Sequence, residues 1–350
     1  MNIERGERLG WKPLIDDLDR GPPRRAGETS CYDARKPLVD RPFAPLLEVG
    51  MTFFLDPKRE QATPDVLSDR PLPPPVGDHR AAASRYAASP ELIDAINVAL
   101  ALGVPLLITG EPGTGKTQVA WYVAWYFGLD LHRQLFKYVV RSTSQAKELL
   151  YGFDDVAYFR DKDARPRATF VEKGPLWEAW EAGPATVVLI DEVDKAPRDF
   201  PNDLLDVLDQ QEFRVPEMGA DFVLRRPEGK PAPLMIITSN SERRLPGPFL
   251  RRCVFHHIEL TEELVRQAVE RQTFKRLDAA ALDAAQRRFF ELRGVRELRK
   301  KPTTSELLAW LAILDLRGGL DAEALRRMPL GALPALGTLI KDRDDLDRLR

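Results

Sequence analysis

The chain has 350 residues, 43% of them hydrophobic and 30% charged, and its 52 Lys and Arg against 54 Asp and Glu leave a formal charge of -2. That is a globular composition with room for about two cores. The even charge balance excludes a wholly basic surface coating nucleic acid or membrane, though not a local patch. Two distant cysteines, Cys31 and Cys253, and four histidines, of which His256 and His257 are merely adjacent, exclude a disulfide framework and a Cys/His metal centre. No run of 18 apolar residues predicts a membrane span. Met1–Arg5 lacks a secretory pattern, so the expected compartment is the cytoplasm.

Residues 1–80 hold 12 of the 29 prolines, including Pro22-Pro23 and Pro73-Pro74-Pro75. Proline fixes φ and removes a backbone donor, so no regular helical or central-strand domain is expected there. Two apolar runs, Phe43–Val49 and Met51–Leu55, interrupt the stretch. It reads either as an irregular arm that docks those runs or as a disordered tail.

Helical grammar begins at Ser89-Pro90-Glu91: an N-cap, a first-position proline and a first-turn acid. Leu92, Ile93, Ile96, Ala99 and Leu100 recur at helical spacing, and Gly103 ends the run. Apolar runs at 104–109, 135–140, 185–190 and 234–238 read as buried parallel strands, with helical patterns between them, including one at 117–127. This alternation predicts an α/β layer fold with a parallel sheet. Beyond residue 260 the strand signals stop. Thr261, the segment Ala281–Phe289, the capping box Thr303–Glu306 and a shorter pattern at 322–327 mark successive helices. The expected division is an arm at 1–80, an α/β core at 81–260 and an all-helical domain at 261–350.

Gly110, Glu111, Pro112, Gly113, Thr114, Gly115, Lys116 and Thr117 match the P-loop pattern G-x-x-x-x-G-K-[ST], between a predicted strand and a predicted helix that continues with Gln118. Such a loop wraps its N–H groups around phosphate oxygens, and the helix N-terminus adds a positive dipole end. Lys116 is expected to reach the β- and γ-phosphates and the Thr117 hydroxyl to bind Mg²⁺. Asp191 and Glu192 follow the strand at 185–190. Carboxylates there sit at the mouth of a parallel sheet, where Asp191 can hold Mg²⁺ and Glu192 can deprotonate the attacking water. Asn240, at the end of the fourth strand, reads either as a residue fixing that water or the γ-phosphate, or as a turn residue.

Together these residues resemble the AAA+ ATPases, and the chain is similar to their MoxR-like branch. The resemblance is carried by Phe170–Trp177, Leu189–Pro197, Leu205–Pro216 and Leu245–Cys253, and it spans about residues 85–345. It implies a P-loop NTPase sheet sandwiched by helices, with a helical lid after it. It also implies ATP as substrate, Mg²⁺ as cofactor, and a homo-oligomeric ring, usually a hexamer, in which a neighbour completes each pocket. Arg252 stands where such proteins place an arginine finger, with Arg251 as the fallback and surface arginines as the plain alternative. The lid-helix position that usually carries a sensor arginine is occupied by Glu306. Lys300 or Lys301 would then supply the charge, while Arg293, Arg296 and Arg299 belong to the same basic cluster, which otherwise reads as a solvated face or a partner contact.

The resemblance further places hairpins at Asp154–Phe159 and at Phe213–Arg225, where Tyr158, Phe159 and Met218 either grip substrate or pack. The implied activity is hydrolysis-driven remodelling of a protein client, with a von Willebrand factor A-domain partner. Two alternatives are a nucleic-acid motor or loader, disfavoured by Asp154 and Asp155 beside Tyr158, and a nucleotide switch with little turnover.

Overall fold

A computed structural model describes residues 78–319 and 321–349. Cys31 and nearly all of the proline-rich stretch lie outside the described residues. Elements are numbered in chain order. A short helix α1 (His79–Ala82) leads into α2 (Pro90–Leu102), which begins and ends on the expected signals. The Ser89 hydroxyl accepts from Leu92 N at 3.2 Å, Pro90 opens the first turn, and Gly103 closes the helix in the left-handed region.

The central sheet has the order β2-β5-β8-β1-β9. It is built from β1 (Leu106–Gly110), β2 (Leu135–Val139), β5 (Val187–Asp191), β8 (Leu234–Ser239) and β9 (Val254–Ile258), all paired in parallel. The four expected strands are present, and β9 is a fifth outside that expectation. The three inner strands are buried at every position. That is what two covered faces require, and it is why they read as unbroken apolar runs. Side chains alternate between two packed layers. Leu107, Val188, Ile190, Met235 and Ile237 enter one core, and Leu106, Ile108, Val187, Leu189 and Ile236 enter the other. The second layer is completed by α2 and by α3 (Gln118–Tyr126), through Leu92, Ile96, Val119 and Val123. The first is completed by α6 (Pro175–Ala182) and α7 (Phe200–Gln210), through Trp177, Trp180, Phe200 and Leu204.

Two small antiparallel pairs decorate the first layer. β3 (Tyr151–Phe153) follows the short helix α4 (Lys147–Leu150) and pairs with β4 (Val171–Lys173). β6 (Glu212–Arg214) pairs with β7 (Val223–Arg225), the second hairpin expected. The first expected hairpin, at Asp154–Phe159, is not formed by those residues: they cap and build a helix α5 (Asp155–Asp161), because the Asp154 carboxylate accepts from Ala157 N, and the antiparallel pair lies to either side, in β3 and β4. Tyr158 packs against Phe153 and Phe170, whereas Phe159 is 70% exposed and Met218 38% exposed.

After α8 (Gly247–Leu250) and β9 the chain is helical: α9 (Glu262–Glu270), α10 (Ala279–Gly294), α11 (Thr304–Arg317), α12 (Ala322–Arg327) and α13 (Arg343–Leu349). These helices bury their own cluster around Phe289, Leu292, Trp310, Leu311 and Leu325. The Trp310 indole donates to Pro334 O at 2.7 Å, so the ring is buried with its polar atom satisfied. The predicted Thr303–Glu306 capping box is formed. The buried Asp345 carboxylate accepts from the backbone N–H groups of Arg299 and Lys300 at 3.0 and 3.1 Å, pinning the loop before α11.

Candidate functional site

The P-loop links β1 to α3, at the carboxyl edge of the sheet. Gly113 and Gly115 hold φ of 74° and 88°, a region that side chains disfavour. Space is the second constraint at Gly113. An added Cβ would overlap the Thr303 hydroxyl and come within 2.6 Å of Thr303 Cβ, so the lid-side helix α11 rests directly on this glycine. At Gly115 the neighbour is the ring of half-buried Tyr86.

Lys116 is buried, and its ammonium donates to the carbonyls of Gly110 at 2.9 Å and Glu111 at 2.8 Å. Burial pushes its pKa below the ordinary lysine value, against the opposing pull of Asp194, Asp191, Glu192 and Glu111. The ammonium thus stands at the mouth of the loop, held by neutral oxygens that a phosphate can replace.

Asp191 ends β5 and has three partners. Oδ1 accepts from Thr117 Oγ1 at 2.8 Å and from Thr238 Oγ1 at 2.7 Å, and Oδ2 pairs with Lys137 Nζ at 3.0 Å. Burial alone would raise its pKa. The Thr238, Lys137 and Thr117 hydrogen bonds and the Lys137 charge outweigh this and hold it below the ordinary carboxylate value. Glu192 follows at φ 62° and ψ 50°, a left-handed conformation uncommon for a non-glycine residue and frequent at functional sites. Its N–H donates to Thr238 Oγ1 at 2.9 Å, and its carboxylate accepts from Lys195 Nζ at 2.6 Å. The single Thr238 hydroxyl therefore donates to Asp191 and accepts from Glu192, fixing both acids relative to β8.

Asn240 is positioned from behind. The buried Asp194 carboxylate accepts from the N–H groups of Asn240 at 3.1 Å and Glu242 at 3.0 Å. Thr238, Asp194 and Lys137 thus join the candidate site, and none of them stands out in the sequence. The first was legible only as part of the Thr-Ser-Asn strand end, and the other two need the fold to bring them near.

The remaining candidates divide. The Glu111 carboxylate pairs with Arg293 Nη2 on α10 at 2.8 Å, and Thr114 Oγ1 donates to Glu111 O at 2.9 Å. Ser305 Oγ donates to Gly113 O at 3.3 Å, a further link from α11 to the loop. The Gln118 amide turns away to α1, donating to His79 O at 2.7 Å. Pro112 is exposed. Arg251 and Arg252 lie elsewhere. They precede β9, whose first residue Val254 pairs with Leu106 at the start of β1, whereas the P-loop leaves Gly110 opposite Ile258. At about 3.3 Å per residue the strand alone separates the two edges by roughly 13 Å. Arg252 is therefore on the edge opposite its own chain's P-loop.

Residues 105–253 match the family model described as the AAA domain (dynein-related subfamily). The mitochondrial Lon protease homolog of Phaeodactylum tricornutum is 35% identical over 159 residues, which is 43% of this chain and 16% of that protein. The chain therefore spans about one sixth of that relative's length. Among solved structures, NtrX from Brucella abortus aligns with a TM-score of 0.43 at 18% identity, over 72% of this chain and 56% of that one. A chain of the magnesium chelatase BchI–BchD complex aligns with a TM-score of 0.35 at 15% identity, over 51% of this chain and 64% of that one. The sheet order, the P-loop context and the matched segment agree with one another: residues 105–253 match an AAA domain and carry a parallel sheet of the P-loop NTPase fold.

Proposed function

We propose that the chain is a Mg²⁺-dependent ATPase that converts ATP and water to ADP and phosphate within a ring of like subunits, and that it uses the cycle to remodel a protein client. The observation that carries this reading is the convergence of Lys116, Thr117, Asp191 and Glu192 at one edge of the sheet. The oxygens of Thr117 and Asp191 lie 2.8 Å apart. They are hard donors, few in number, and they suit Mg²⁺, which keeps several waters and takes the rest of its shell from phosphate. Among the described residues no cluster of three His, Cys, Asp or Glu offers a different kind of metal site. When bound, Mg²⁺ supplies charge neutralisation between the phosphates.

The protein's own groups do the rest. The P-loop wraps the phosphates and Lys116 exchanges its two carbonyl partners for phosphate oxygens. The Glu192 carboxylate takes the proton of the attacking water, once Lys195 yields its hold. Asn240, fixed through Asp194, orients that water or the γ-phosphate. The charge that develops on the γ-phosphate is met by an arginine from a neighbour, because Arg252 cannot reach its own pocket; Arg251 is the alternative. Residues 81–260 act as the core in this scheme. Residues 261–350 act as a lid, with Arg293 on Glu111 and Thr303 on Gly113 as its contacts with the loop. The protein client and a von Willebrand factor A-domain partner are proposed on the MoxR-like resemblance of the segments at 170–177, 189–197 and 205–216.

The test is Glu192→Gln. Turnover is expected to fall by roughly 10²- to 10⁴-fold. Calorimetric ATP binding should persist, because the phosphate grip does not include this carboxylate. Normal turnover in this variant, or no nucleotide uptake by the unaltered chain with Mg²⁺, would overturn the reading.

A further inference from the structure

Arg252 is not loose on the surface. Its Nε donates to Asp209 Oδ1 and its Nη2 to Asp209 Oδ2, both at 2.6 Å, and its Nη1 donates to Pro248 O at 3.1 Å. Asp209 lies near the end of α7, and Pro248 one helical turn back in α8. A guanidinium has five N–H donors in a rigid plane. Three are engaged here, all by groups of this chain. The two that remain are one on each terminal nitrogen, the pair that can grip a phosphate in bidentate fashion. Both side chains are still reachable from outside, at 36% exposure for Arg252 and 42% for Asp209.

An exposed ion pair of this kind adds little to fold stability, so its two-point geometry calls for another use. A lock would have to consume the donors that a phosphate needs. This contact spares two of them and removes the rotational freedom that would otherwise be lost on meeting the neighbour.

We propose that Asp209 is a positioning residue: it holds the Arg252 guanidinium aimed outward, so that the γ-phosphate in an adjacent copy meets a preformed donor pair. This rests on the reading that Arg252 completes a neighbour's pocket. Asp209 itself touches no substrate. Its carboxylate acts on one edge of the guanidinium and leaves the other edge for the phosphate.

The experiment mixes two full-length chains. One, Lys116→Ala, has a disabled pocket and an intact Arg252. The other, Arg252→Ala, has an intact pocket and no arginine to donate. Their mixture is expected to recover turnover at hybrid interfaces. Adding Asp209→Ala to the Lys116→Ala chain should lower the recovered kcat by roughly three- to tenfold while leaving KM for ATP unchanged. Adding the same substitution to the Arg252→Ala chain should leave the recovery unchanged, because no guanidinium is present there to aim. Asp209→Glu in the donating chain should retain most of the recovery, and Asp209→Asn should fall between.

If the parent mixture does not recover, the trans role of Arg252 is wrong and the proposal falls with it. If the parent mixture recovers but Asp209→Ala in the donating chain leaves turnover the same or raises it, Arg252 acts in trans without Asp209. The positioning role alone is then overturned.

Discussion

Asp191 shows how a single carboxylate is held ready by groups of different reach. Two hydroxyls share one oxygen and the Lys137 ammonium faces the other. Lys137 is a cation beside a proposed Mg²⁺ ligand, so it keeps the acid ionised and also opposes the incoming metal. The stability consequence has a definite sign. Asp191 titrates below its ordinary value of about 3.9, so the unfolded chain binds the proton more readily. The contact therefore stabilises the fold above that pH, and the contribution is lost as pH falls through the lower folded value. Lys137→Met should narrow this window. Its thermal midpoint, measured without nucleotide, should lie below that of the unaltered chain at neutral pH and converge with it under acid conditions. Equal midpoints throughout would show that Lys137 is not what holds the acid ionised. The same variant should also need less Mg²⁺ for half-maximal nucleotide uptake, since an opposing charge is gone.

At the level of elements, β1, β5 and β8 were legible because burial on both faces demands continuous apolar runs, and α2 and α11 because their caps are written in adjacent residues. β9 was not legible. It is an edge strand whose burial alternates, and its sequence Val-Phe-His-His-Ile is too short and too polar to stand out. The P-loop and the Asp191–Glu192 pair were readable as local motifs. The Arg293–Glu111 and Thr303–Gly113 contacts were not, since nearly two hundred residues separate the partners and only the packing of the helical part brings them together. Gly113→Ala tests that junction. The new methyl meets Thr303 and also forces a left-handed alanine, the latter costing about 1–2 kcal/mol. ATP affinity should collapse. Gly113→Ala with Thr303→Gly should restore part of it by removing the clash, though not the strain. No recovery in the double variant would mean that backbone strain, and not the lid contact, decides the loss.

Across the whole molecule, the P-loop and Arg252 occupy opposite edges of one sheet. The proposed completion of each pocket by a neighbour would make turnover depend on association. The ATPase rate per chain is therefore expected to rise with protein concentration until assembly saturates. A rate per chain that stays constant on dilution, while light scattering reports monomers, would exclude a shared pocket. The opposition of the two edges carries a further consequence. Copies that meet this way join head to tail, and such a row has two unlike ends until it bends round on itself. However long the row grows, the pocket at one end stays idle. A single added copy with a blunted edge would act as a terminator, and only the closed circle puts every site to work.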